Sequence, residues 1–102
     1  MKSLTSPQQQ VLRAAAHHLN VVLQTGARGL TPEFTAEAEQ ALAHHELVKF
    51  KLVASDAADR KAMAEQLCEA LGAAHVQQIG HVAVLYRENK DRARFREQLR
   101  RA

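Results

Sequence analysis

Apolar residues in this chain recur first at helical spacing and then in alternation, and the two periods take turns along its length. Val11, Leu12, Ala15 and Leu19 form one helical stripe, with the three-to-four-residue recurrence of an amphipathic helix. Ser6, Pro7 and Gln9 supply its start: Ser6 as the cap, Pro7 at the first helical position, and Gln9 reaching back as the third residue of a capping box. This helix is expected to end near His18 or Leu19. The apolar run Val21–Gln24 predicts a short strand. Thr31 then caps and Pro32 opens a second helix, with Phe34, Ala38, Ala41 and Leu42 on one face. Strict alternation over Leu47–Val53 predicts a strand with Val48, Phe50 and Leu52 on one side and Lys49 and Lys51 on the other. Ser55 and Asp56 open a third helix that runs to about Leu71, where Gly72 stops it in a left-handed conformation. His75–Ile79 and Val82–Tyr86 read as a hairpin through Gly80 and His81, with glycine in the first loop position of a type II′ turn.

The predicted order is α-β-α-β-α-β-β. Two β-α-β crossovers followed by a hairpin imply an α/β fold, a four-stranded mixed sheet with right-handed crossovers and three helices over its faces. At 102 residues one domain can bury roughly two thirds of the surface its unfolded chain exposes, and we place it at residues 1–87. Hydrophobic and charged fractions of 46% and 25% are those of a globular chain, with Leu, Val and Ala making up for few aromatics. The lone Cys68 excludes an internal disulfide, and its helical spacing with Ala64, Leu67 and Leu71 reads as a core thiol. No apolar run approaches the ~20 residues of a membrane span, and residues 1–7 carry no hydrophobic signal core. A soluble, cytoplasmic monomer is expected.

Locating the charge changes the picture. Residues 87–102 hold seven basic groups against three acidic ones, a balance of +4, while the other 86 residues sum to −1. This basic segment has Phe95 and Leu99 as its only apolar anchor, so residues 88–102 form an extra C-terminal helix, or a tail that is frayed or ordered on binding. Upstream, Gly26-Ala27-Arg28-Gly29-Leu30-Thr31-Pro32 places two glycines around a tight turn at a helix N-terminus. Glycine leaves no side chain between an approaching phosphate and the main chain, and the helix beyond offers unpaired N–H groups and the positive end of its dipole. Arg28 adds a mobile charge, so the loop can hold a nucleic-acid backbone. Lys49 and Lys51 point the same way. Arg60 and Lys61 oppose the dipole in the first turns of the third helix, a misplacement that makes sense against an anion. The second helix carries Glu33, Glu37 and Glu39 on a face expected to turn away from phosphate.

Enzyme chemistry finds little here. His17-His18 and His44-His45 are sequence neighbours, which on a helix point about 100° apart and do not chelate together. No serine or carboxylate set has catalytic spacing. The reading therefore has no catalytic residue, no metal and no cofactor.

Several segments, in order, resemble the YhbY-like family, the single-domain bacterial version of the CRM (chloroplast RNA splicing and ribosome maturation) domain. They are Leu4-Thr5, Leu12-Arg13, Ala16-His17, the loop Gly26–Thr31, Ala41-Leu42 leading to His45–Lys51, Ile79-Gly80 and Val84–Arg87. The resemblance implies a fold similar to the C-terminal domain of the third bacterial translation initiation factor, with a KH-like G-x-x-G loop on RNA. It implies a non-enzymatic protein acting on large-subunit rRNA, its precursor and the pre-ribosomal particle. The expected RNA contacts are Gly26, Ala27, Arg28, Gly29, Leu30 and Thr31, with Lys49, Lys51, Arg60, Lys61 and Arg87 widening the basic surface. The chain departs from the family pattern at Ala27, where basic loop residues are common, at Asn20-Val21 in place of Lys-Pro, and at His81 in place of a basic residue. The alternative reading is a protein-interaction module for ribosomal proteins or assembly factors, with the acidic second helix as its contact face.

Overall fold

A computed structural model of the chain describes residues 4–102. Its elements are α1 (Ser6–Ala16), β1 (Val21–Gln24), α2 (Pro32–His45), β2 (Leu47–Lys51), α3 (Ala57–Leu71), β3 (Ala74–Ile79), β4 (Val82–Tyr86) and α4 (Arg96–Arg101). The four strands make one mixed sheet in the order β1-β2-β4-β3. β1 runs parallel to β2, and the β2–β4 and β3–β4 pairings are antiparallel. The second crossover carries β3 past the space beside β2, and the hairpin returns β4 into that space. β4 suits this central place because Ala83, Val84, Leu85 and Tyr86 are all buried. The hairpin turns at Gly80 with φ +57°, while His81 has no positive φ, as a type II′ turn requires.

Alternation along β2 and β4 divides the interior into two cores. Val48, Phe50, Leu52, Ala83 and Leu85 pack against Phe34, Ala38 and Leu42 of α2 and Ala64, Leu67 and Leu71 of α3. Leu47, Val84, Tyr86 and Val76 meet Leu12 and Ala16 of α1 and Leu99 of α4 on the other side. Cys68 borders the first core, and burial pushes its thiol up to about 11. The α1 side is only partly covered, so Lys49 and Lys51 emerge half-buried from the sheet.

Two features of α1 differ from expectation. Thr5, not Ser6, is the cap: its hydroxyl accepts the Gln8 N–H and the Gln8 side chain accepts the Thr5 N–H. The sequence holds two overlapping capping boxes, and the earlier one brings Leu4 against the α1 core. The helix also stops at Ala16 rather than His18 or Leu19, leaving Leu19 40% exposed.

The segment after β4 folds back on the body. Glu46, the single residue between α2 and β2, is fully buried, and its two carboxylate oxygens accept the N–H groups of Asn89 at 2.8 Å and Arg94 at 2.7 Å. The same segment covers the end of α2, where Asn89 Nδ2 donates to the Ala43 carbonyl and Arg92 Nη1 to that of His44, filling acceptors a helix terminus leaves open. Phe95 then meets Tyr86 edge to face at 6.1 Å, before α4 seats Leu99. Burial first, and then Glu46 and Glu88, push the Tyr86 phenol up to about 12.

Candidate nucleic-acid interface

The glycine loop is built on a rigid root. Thr25 is buried; its N–H donates to the Lys51 carbonyl and its hydroxyl accepts the Val53 N–H, both at 2.9 Å. The chain then turns within four residues, as the Gly29 N–H donates to the Gly26 carbonyl at 3.0 Å. Leu30 turns inward against the α2–α3 core, and the Thr31 hydroxyl accepts the Phe34 N–H at 3.0 Å to cap α2. Two of the six expected loop contacts thus serve the fold with their side chains. Gly26, Ala27 and Arg28 form the exposed tip, where the N–H groups of Ala27 and Arg28 meet no acceptor among the described residues.

The two glycines have different duties. Gly29 sits at φ +71°, whereas a Cβ on Gly26 would meet nothing within 4 Å. Gly29→Ala should therefore cost about 1 kcal/mol through backbone strain, a melting shift of roughly 4–8 °C. Gly26→Ala should leave the melting temperature unchanged or raise it by a few degrees, since it adds a methyl to open space and restricts only the unfolded chain. Thermal unfolding of both variants checks the contrast.

The strand register sets the cations beside this loop. Lys51 pairs with Gln24 of β1 and Val82 of β4, in the last row before the loop, and Lys49 lies two residues back on the same face. α3 begins at the same end of the sheet. Its Met63 lies beneath the loop, with Cε 3.8 Å from the position a Gly29 Cβ would take. This brings the first turns of α3, with Arg60 and Lys61, to the loop end; Arg60 also donates to the Ala54 carbonyl at 3.4 Å. Among the described residues the ion pairs use Arg87, Arg96, Arg100 and Arg101. Arg28, Lys49, Lys51, Arg60 and Lys61 are left without a carboxylate partner.

Acidic residues are unevenly placed, and Asp56 and Asp59 share the start of α3 with Arg60 and Lys61. α1 and all four strands contain none, whereas Glu33, Glu37, Glu39, Asp59, Glu65 and Glu69 belong to α2 and α3. The sheet face shared with α1 is consequently electropositive. Arg13 of α1 and His17, just past its end, border a depression there with Lys49 and Gln77. These two were not among the expected contacts, and the signal that could have found them is the absence of acid from α1.

Arg87 does not join this surface. It follows Tyr86, whose register partners Leu47 and Ala74 mark the opposite end of the sheet. Its guanidinium holds both carboxylate oxygens of Glu39 and donates to the Leu71 carbonyl at 3.0 Å. The hydrogen bond from Arg87 holds the Glu39 carboxyl below its ordinary 4.5. A depressed carboxylate stabilises the fold above its unfolded pKa and loses that stability as pH falls through its folded one. The loss should therefore begin below about pH 4.5, and half-exposed Glu39 limits it to under about 1 kcal/mol. Urea unfolding of wild type and Glu39→Gln from pH 7 to 3 should show the difference shrinking toward zero at the acid end.

The basic C-terminal segment is likewise partly neutralised. Glu88 holds Arg96, and Glu97 holds both Arg100 and Arg101. Among the described residues no three His, Cys, Asp or Glu side chains are grouped to share a metal ion, and no helix is long and apolar enough to cross a membrane.

Residues 4–87 match the family described as the CRS1 / YhbY (CRM) domain. An RNA-binding protein of Haemophilus influenzae is 42% identical over 91 residues, covering 89% of this chain and 92% of that protein. A protein of Bacillus subtilis named as a probable RNA-binding protein is 34% identical over 88 residues, covering 86% of this chain and 92% of its own length. The solution structure of a Staphylococcus aureus protein superposes with a TM-score of 0.77 at 34% identity, covering 84% of this chain and 90% of that one.

Proposed function

The chain belongs to the CRS1 / YhbY (CRM) domain family, and from that membership we propose that it is a non-enzymatic, cytoplasmic RNA-binding protein that holds large-subunit rRNA or its precursor and assists assembly of that subunit. The observation that carries the reading is the clustering, at the glycine loop, of cations that have no ion-pair partner among the described residues, beside an α1 and a sheet that contain no acid. The proposed contacts are the main chain of Gly26–Gly29, the Arg28 side chain, Lys49, Lys51, Arg60 and Lys61. Leu30 and Thr31 position the loop, and Arg87 is assigned to the fold.

These groups grip phosphate and sugar, which positions RNA without reading its sequence. Phe34, Phe50 and Tyr86 are buried and cannot serve as stacking platforms. At the loop, the shape and backbone of the RNA then decide the fit. Sedimentation of the chain with large-subunit precursor particles, with mature subunits and with small-subunit precursors tests the target. Co-migration with large-subunit precursors that survives moderate salt is the expected result. Equal retention on all three would reduce the function to general RNA binding. Co-migration with large-subunit precursors that Arg28→Glu leaves unchanged would assign the protein to the interaction-module reading through α2.

A further inference from the structure

A cavity of about 260 Å³ opens between the end of α1, the edge strand β1 and the C-terminal segment. Its apolar walls come from Leu19, Val22, Leu47 and Phe95, and its cationic ones from Lys49 and Arg94. Asn20 and His45 add hydrogen-bonding edges, and no carboxylate lines it. Val22 is 48% exposed and Leu19 40%, so the chain leaves this apolar surface open to solvent. Arg94 and Phe95 lie beyond the family-matched residues 4–87. Glu46 holds them in place through the Arg94 N–H at 2.7 Å.

We infer that this cavity takes one unstacked nucleobase of the bound RNA, with Lys49 and Arg94 on the flanking phosphates. The inference rests on the RNA-binding reading and adds a base site to it. An apolar slot with an aromatic wall suits the face of a base, two amphiphilic edges suit its rim, and a purely cationic lining suits the backbone on either side. An acidic peptide would satisfy the two cations and leave the apolar walls bare. The cavity is also within reach of the loop. Val22 precedes Gly26 by four residues, roughly 13 Å of extended chain, and Lys49 and Lys51 lie on the same face between the two. One strand of RNA can follow the row from Arg28 through the lysines into the cavity.

The test compares a short single-stranded RNA with a strand of the same length and phosphate count whose central nucleotides are abasic. Wild type, Val22→Glu, Arg94→Ala and Arg28→Glu are measured at one salt concentration, with thermal unfolding to confirm that each is folded. Wild type should prefer the base-bearing strand by at least about fivefold, the weak end of what one stacked base contributes. Val22→Glu, which puts a carboxylate at the mouth, should abolish that preference. Arg94→Ala, which removes a phosphate contact beside the cavity, should weaken both strands and leave the preference in place. Arg28→Glu should weaken both strands alike. Equal affinity of wild type for the two strands, with Arg28 dependence intact, would overturn the base site and leave the loop reading standing. Loss of all RNA binding would overturn both. A wild-type dimer that Val22→Glu dissociates, with no preference between the strands, would assign the groove to a second copy of the chain.

Discussion

Glu46→Ala should lower the unfolding free energy by about 2–4 kcal/mol and release residues 88–102 from the body. The size follows from the two N–H groups, of Asn89 and Arg94, that would lose their acceptors, at about 1–3 kcal/mol for each buried donor left unpaired and less where water reaches it. Alanine would also inherit the backbone of Glu46, at φ +62° and ψ −48°, a strained region for any residue with a Cβ. Glycine at this position relieves the strain and still lacks the carboxylate, so Glu46→Gly should recover about 1 kcal/mol of the loss. Glutamine keeps one acceptor oxygen and should fall between wild type and alanine. Urea unfolding measures the energies, and hydrogen exchange at Asn89 and Arg94 locates the effect. Protection of those two amides that survives in Glu46→Ala would show that the carboxylate does not hold the segment.

Charge reversal at the loop end should have the largest effect on function. Arg28→Glu alone should weaken binding to a large-subunit rRNA fragment by about tenfold, or 1.4 kcal/mol, and Arg28→Glu with Lys51→Glu by about a hundredfold if the sites act independently. The slope of log affinity against log salt should become shallower by about 0.7–0.9 for each phosphate that the protein no longer neutralises. Both side chains are free of ion pairs among the described residues, so their reversal breaks no bridge within the fold. The basic C-terminal segment needs a different control from truncation. Phe95 and Leu99 complete the core beneath α1, and cutting after Arg87 would expose Tyr86, Val84 and Leu47. Lys90→Glu reverses an exposed charge, and Arg92→Gln removes one while keeping a donor for the His44 carbonyl; both leave that core in place. A larger effect from these two than from Arg28→Glu would move the principal RNA contact to the C-terminal segment.

The loop was legible because it is a local object. Glycine spacing, a threonine cap and Pro32 lie within a few residues, and their conformational limits do not depend on the rest of the chain. The orientation of Lys49 and Lys51 was legible for the same reason, since the period of a strand is two wherever it is placed. Arg87 misled the reading because the register puts it at the far end of the sheet from the loop, and because its partner Glu39 is distant in sequence. The motif marks Leu30 as a contact by its position, although its apolar side chain has the core to fill.

Local pattern thus decided the order of the elements, their caps and turns, the alternation that gives the sheet two faces, and the choice of an α/β fold. These depend on propensities and periods that act over one or two turns of chain. Tertiary structure decided which charges face one another, which overlapping capping box is used, and where the basic segment goes. Glu46 shows the reason. Its neighbours in sequence give no sign of a buried carboxylate. Only the N–H groups of Asn89 and Arg94, more than forty residues away, offset the cost of its burial and turn a predicted tail into one wall of a cavity.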